Sequence, residues 1–347
     1  MESKTRIKGN VHYVGVNDRN KHRFEGMWPL PYGVSYNSYL IDDEMVALVD
    51  TVDICYFEVY LRKIKQVIGE RPINYLIINH MEPDHSGSIR LIKQHYPEII
   101  IVGNKQTFGM IEGFYGVTGE QYLVKEGDFL ALGHHKLRFY MTPMVHWPET
   151  MMTFDETDGV LFSGDGFGCF GTVDGGFLDT RINVDKYWGE MVRYYSNIVG
   201  KYGSPVQKAL QKLGGLPISA ICSTHGPVWT ENIAKVIGIY DRLSRYDADE
   251  GVVIAYGSMY GNTEQMAEAI AEELSAQGVK NIVMHNVTKS HPSYIIADIF
   301  RYKGLIIGSP TYSNQIFPEV EALLSKILLR EVKGRYLGYF GSFTWAG

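Results

Sequence analysis

Short apolar runs in the first two-thirds of this chain keep leading into an acid or a histidine. Val46-Ala47-Leu48-Val49 runs into Asp50, and Tyr75-Leu76-Ile77-Ile78-Asn79 into His80. Val160-Leu161-Phe162-Ser163 stands just before Asp165, and Ile218-Ser219-Ala220-Ile221-Cys222 just before His225. Leu137 to Met141 is a further run, ahead of His146, and Ser86 to His95 has helical spacing. Four or five apolar residues between polar punctuation read as a buried strand. A rigid strand aims the loop at its end, so a chain built this way collects reactive side chains along the rim of a sheet. At 347 residues the chain is too long for one ordinary domain, and two are expected.

The rhythm changes at the polar stretch Arg245 to Gly251, which divides the chain into residues 1–248 and 249–347. Beyond it, strands at Val252–Tyr256, Asn281–His285, Gly304–Gly308 and Tyr336–Gly341 alternate with helices at Thr263–Ala276, from about Ser293, and at Pro318–Leu329. Strand–helix alternation means a doubly wound parallel sheet with helices on both faces.

The densest chemistry lies in His80-Met81-Glu82-Pro83-Asp84-His85, where four potential metal ligands occupy six residues. A helix would scatter 80, 82 and 84 around its axis, and Pro83 disfavours one, so an extended or loop backbone is expected. With His146, Asp165 and His225 the set reaches four histidines and three carboxylates. Seven ligands exceed what one tetrahedral zinc uses and suit two ions sharing a bridging carboxylate. Oxygen and imidazole donors without thiolate fit iron or manganese at least as well as zinc. The other histidines (His12, His22, His95, His134, His135, His285, His291) read as surface or satisfied core residues.

In the second domain the loop Ser258-Met259-Tyr260-Gly261-Asn262-Thr263 joins a first strand to a helix. Hydroxyls, glycine and a helix N-terminus present N–H groups to an anion. Without Gly-Lys-Ser/Thr it is not a nucleotide-triphosphate loop, and it resembles the FMN-phosphate loop of flavodoxins. Pro310-Thr311-Tyr312-Ser313-Asn314 and Ser342-Phe343-Thr344-Trp345-Ala346-Gly347 follow later strands at the same sheet edge, where ligands of such folds bind. Tyr312 and Trp345 are placed to flank a planar ring. Gly166-Phe167-Gly168-Cys169-Phe170-Gly171 mimics a dinucleotide fingerprint, but Thr172-Val173-Asp174-Gly175-Gly176 cannot continue as a helix.

Composition excludes other classes. With 33 basic and 39 acidic residues interspersed, the net charge is −6, which argues against a nucleic-acid surface or a polybasic membrane anchor. Three scattered cysteines (Cys55, Cys169, Cys222) make neither a disulfide framework nor a Cys-x-x-Cys metal site. The residues after Met1 lack the apolar stretch of a signal peptide and no run approaches a membrane span, so a cytoplasmic location is expected.

The ordered ligand set resembles the metallo-β-lactamase superfamily signature His-x-His-x-Asp-His with later His, Asp and His. Glu82 stands where that superfamily's hydrolases carry their second histidine. This departure, with Ser86-Gly87 after His85 and Trp147-Pro148 after His146, resembles the flavodiiron proteins. The resemblance implies an αββα sandwich followed by a flavodoxin-like domain, here lacking its expected last strand and helix. It implies one iron on His80, Glu82 and His146, a second on Asp84, His85 and His225, and Asp165 between them. It further implies FMN, reduction of O2 to water or of NO to N2O, and a head-to-tail homodimer or dimer of dimers. Rubredoxin, another small carrier or a reduced deazaflavin would supply electrons. Tyr195 and Trp147, and more remotely Phe24 and Glu25, are expected near the bound gas. Two other readings differ in chemistry: a zinc hydrolase with an appended flavodoxin, or a non-enzymatic flavin electron carrier. Iron content and yellow absorbance set the hydrolase apart, and bound FMN without consumption of either gas marks the carrier.

Overall fold

The computed structural model describes residues 4–345, so Ala346 and Gly347 of the third flavin loop lie outside the described residues. The chain divides into two compact units. One comprises residues 1–191 and 204–240, the other residues 192–203 and 241–347. The division thus falls at Tyr240, and the second unit also takes in a segment from the first two-thirds of the chain.

Two mixed sheets build the first unit. The seven-stranded one runs Arg6–Lys8, Val11–Tyr13, Tyr39–Ile41, Ala47–Val49, Tyr75–Ile77, Ile100–Gly103, Gln121–Leu123. Its pairings are antiparallel as far as Ala47–Val49 and parallel beyond. The five-stranded one runs Phe129–Ala131, Lys136–Met141, Met151–Asp155, Val160–Gly164, Ala220–Ser223, and only its last pairing is parallel. A single apolar cluster joins Val11, Tyr39, Val49 and Ile77 of one sheet to Phe139, Met151, Phe162 and Cys222 of the other. The sheets therefore face each other across one core, which explains why Met151–Asp155 and Val160–Gly164 are buried at every position. Helices connect the strands. Phe57–Ile68 buries Phe57, Tyr60, Leu61, Ile64 and Ile68, the i, i+3, i+4 stripe of an amphipathic helix. In Lys105–Tyr115, Asn104 caps the amino end and Gly116, in the left-handed region at φ 60°, closes the carboxyl end.

The second unit is the expected parallel sheet, in the order Ile282–Asn286, Asp249–Tyr256, Tyr302–Tyr312, Tyr336–Ser342. Helices Asn262–Ala276, Pro292–Arg301 and Pro318–Leu328 alternate with the strands. Order 2-1-3-4 places its switch point between the first and third strands, where a ligand crevice opens at the carboxyl edge.

Candidate metal centre and flavin crevice

Strand ends bring the candidate ligands together, and the backbone differs from the expected one at Pro83. His80 and Glu82 leave strand Tyr75–Ile77 on an extended backbone, but Pro83 starts a helical turn, Pro83–Ser86, that contains Asp84 and His85. Proline at the first position of a helix loses no hydrogen bond and brings its φ preset. The turn carries Asp84 and His85, whose side chains also reach His225.

Asp165 lies between two ligand sets. Its Oδ2 is 3.0 Å from His146 Nε2 and 3.5 Å from His80 Nε2, and Glu82 Oε2 is 3.2 Å from His146 Nε2 and 3.6 Å from His80 Nε2. Its Oδ1 is 3.2 Å from His85 Nε2 and 3.5 Å from His225 Nε2. The Asp84 oxygens are 3.4 Å from His85 Nε2 and 3.3 Å from His225 Nε2. Metal–ligand bonds of about 2.0–2.2 Å set neighbouring donors roughly 3.0–3.6 Å apart, so each set has the span of one coordination shell. All seven residues are buried. His80 Nε2, His85 Nε2 and both Asp84 oxygens have no hydrogen-bond partner among the described residues, as ligand atoms facing an ion do.

The histidines are aimed from behind. His80 Nδ1 donates to Glu149 Oε1 at 2.7 Å and His225 Nδ1 to the Ser35 carbonyl at 2.7 Å, which leaves Nε2 of each available as a metal ligand. Asn37 pins the His225 loop, donating to the carbonyls of Ser223 and Gly226 at 2.8 Å. Asp50, at the end of its own strand, accepts from the Asn79 amide at 2.8 Å and braces the approach to His80. Burial pushes the Asp50 carboxyl up to about 6.

Electrostatics ask for cations here. Glu82, Asp84, Asp165 and Glu149 are four buried carboxylates within one cluster. Burial alone would drive His85 down, yet Asp84 and Asp165 outweigh it and hold the imidazole up at about 10. His146 is raised in the same way, against burial, by Asp165 and Glu82. Two divalent ions supply four positive charges against four negative ones with the histidines neutral, so the residues present fit a pair of ions.

A cavity of about 630 Å³ opens over Glu82 and Asp84, walled by Phe24, Ile54, Leu91 and Phe114. Glu25 lines it at the tip of a tight hairpin, with φ 49° beside Gly26 at 69°, and its Oε2 accepts from Trp28 Nε1 at 2.9 Å. Lys21, also on the wall, donates to Tyr36 Oη at 2.9 Å and to Asp53 Oδ2 at 3.3 Å. Phe24 stands edge-on to His225 at 5.3 Å and Trp147 edge-on to His80 at 5.2 Å. Tyr195, expected near the gas, is fully buried. It begins the π-helical turn Tyr195–Val199 in the second unit, its ring 6.2 Å from Phe300. A third grouping, His135 with Asp155 at 2.9 Å, is satisfied internally, since Asp155 also accepts the Thr157 amide at 3.0 Å.

In the second unit, Met259, Tyr260, Asn262, Pro310, Thr311, Ser313, Asn314, Ser342, Phe343, Thr344 and Trp345 line a cavity of about 280 Å³ at the carboxyl edge. Ser258 and Thr263 brace the loop rather than line the cavity. Ser258 Oγ accepts from the Gly261 amide at 3.1 Å, and Thr263 Oγ1 lies 2.9 Å from Ser342 Oγ. Gly261 has φ 92°, a conformation that requires glycine. Tyr312 turns its ring toward Phe317, 6.1 Å away, whereas Trp345 stands 91% exposed at the rim. Amide donors at a helix start, with aromatic rims, suit a flavin phosphate and ring.

Both parts of the chain match known proteins. The pattern of the ODP family beta lactamase matches residues 34–226, and that of flavodoxin matches residues 254–347. An anaerobic nitric oxide reductase flavorubredoxin of Vibrio vulnificus is 33% identical, over 98% of this chain and 70% of that protein. The rubredoxin:oxygen oxidoreductase of Desulfovibrio gigas superposes with a TM-score of 0.93 at 31% identity, covering 97% of this chain and 85% of that one. The flavodiiron protein of Giardia intestinalis superposes with a TM-score of 0.93 at 28% identity, over 100% and 86%. Among the described residues no helix is long and apolar enough to cross a membrane.

Proposed function

The chain belongs to the flavodiiron proteins, and from that premise we propose that it reduces O2 to water, NO to N2O, or both, at two irons fed by FMN. The observation that carries this reading is the pair of ligand sets on opposite oxygens of Asp165, with four carboxylates to balance two divalent ions. His80, Glu82 and His146 would hold one iron, and Asp84, His85 and His225 the other. The loops at 258–263, 310–314 and 342–345 would hold FMN. When bound, two ferrous ions and reduced FMN supply four electrons, enough for O2 to water, while two suffice to join two NO molecules into N2O.

The chain's own residues do the rest. Phe24, Ile54, Leu91 and Phe114 give the gas an apolar stretch of wall leading to Glu82 and Asp84. Glu149 and the Ser35 carbonyl fix which nitrogen of His80 and His225 faces the ions. Lys21 Nζ carries exchangeable protons on the cavity wall, tied to Tyr36 and Asp53. Glu82 in place of a histidine makes the set richer in oxygen donors, which favours iron over the zinc of hydrolases.

A small carrier such as rubredoxin is the proposed donor, supported by the name of the Desulfovibrio gigas neighbour. A head-to-tail homodimer, in which one subunit's FMN serves the partner's irons, and a cytoplasmic location complete the proposal. The test is anaerobic reduction of the iron- and FMN-loaded chain, then separate additions of O2 and NO with flavin reoxidation followed optically. Rapid reoxidation by at least one gas is expected; a flavin that stays reduced with both contradicts the proposal.

A further inference from the structure

The two ligand sets resemble each other in donor count, but their supports differ. Behind His80 stands a carboxylate. Glu149 is fully buried, and its Oε1 accepts from His80 Nδ1 at 2.7 Å and from the Met81 amide at 2.8 Å. Behind His225 Nδ1 stands the neutral Ser35 carbonyl, and His85 Nδ1 has no hydrogen-bond partner among the described residues. The shared aspartate is uneven too. Thr224 Oγ1 donates to Asp165 Oδ1, the oxygen facing His85 and His225, whereas Oδ2 faces His80 and His146.

Each difference acts in the same direction. A carboxylate on the far nitrogen of an imidazole makes the near nitrogen a stronger donor and fixes its ring. A hydroxyl on a carboxylate oxygen draws electron density from it and weakens it as a ligand. Glu149 is also held in place. Asn104 Nδ2 donates to its carbonyl at 2.6 Å, and the next residue, Thr150, donates from Oγ1 to the Trp147 carbonyl at 2.6 Å. Such bracing around a buried charge that contacts no substrate suits a residue acting through His80.

We infer that Glu149 is a positioning residue that makes the His80–Glu82–His146 site the tighter of the two, so that metal loads there first and the Asp84–His85–His225 site fills second. This rests on the reading that the seven side chains hold two ions. The gradient is a property of the chain, whichever gas it reduces.

Anaerobic titration of the metal-free full chain with cobalt(II), followed by calorimetry and by its ligand-field absorption, tests this. Wild type is expected to take up two ions in two steps, with the first step surviving Asp84→Asn. Glu149→Gln keeps an acceptor for His80 and Met81 but removes the charge. It is expected to weaken the first step about 10- to 100-fold, change the second less than about threefold, and leave the thermal midpoint of the metal-free protein unchanged. Thr224→Val, which frees Asp165 Oδ1, is expected to tighten the second step about 2- to 10-fold. The inference is overturned if Glu149→Gln spares the step that survives Asp84→Asn, or weakens both steps alike while lowering the thermal midpoint. It is equally overturned if Thr224→Val leaves the second step unchanged. Uptake of fewer than two ions by wild type overturns the di-metal reading along with it, whereas two ions with an insensitive first step leaves that reading standing.

Discussion

Replacing Asn37 by alanine should unfold the first unit more easily than its small volume suggests. The Asn37 side chain accepts from Tyr13 Oη at 3.0 Å and donates to the carbonyls of Ser223 and Gly226 at 2.8 Å, all inside the protein. Alanine leaves the Ser223 carbonyl a second donor, Tyr39 Oη at 2.5 Å, but removes these partners from Gly226 and Tyr13. Each buried group so stranded costs about 1–3 kcal/mol, giving about 2–6 kcal/mol for the pair. Trp28, Trp147, Trp188 and Trp229 belong to the first unit and Trp345 alone to the second, so tryptophan emission in urea reports mainly on the first. With a slope of about 2–3 kcal/mol per molar, the midpoint should fall by roughly 0.7–3 M. Because the same loop carries His225, binding of the second metal ion should weaken as well. A midpoint shift below roughly 0.3 M would refute the claim that this network holds the strand ends together.

Three further outcomes are expected. His135→Gln should destabilise the chain most at mildly acidic pH: against burial, Asp155 raises the folded imidazole, so the pair's stabilisation is full below about 6.5 and fades as pH rises through the folded value. Equal loss at pH 6 and pH 9 in urea melts would contradict that. Ser258→Ala, which removes the acceptor bracing the Gly261 amide, should weaken FMN binding about 5- to 15-fold in a fluorescence titration, and an unchanged affinity would deny the loop its role. Glu82→His removes one of four buried carboxylates and adds an imidazole, so competitive loading followed by metal analysis should shift from iron toward zinc; an unaltered ratio would mean that Glu82 does not set the preference.

The candidate ligands were legible because each follows a strand whose apolar run is itself legible, and the candidate flavin loops for the same reason. What escaped the sequence are the groups that act across the fold. Glu149 reaches His80 over 69 positions, and Asn37 and Ser35 reach the His225 loop over nearly 190. No local spacing encodes such partners, and a glutamate after Trp-Pro reads as a loop residue until the strands are placed. Pro83 shows a different limit. Its effect depends on whether the chain arrives extended, in which case it starts a helical turn instead of preventing one.

X-ray absorption at the iron edge of the anaerobically reconstituted chain, with iron counted on the same sample, tests the central claim most directly. Two irons per chain and a metal–metal vector of about 3.5–4 Å, lost in Asp165→Asn, are the expected result. One iron per chain, or two with no metal–metal vector in that range, would contradict a pair of ions held on the opposite oxygens of Asp165.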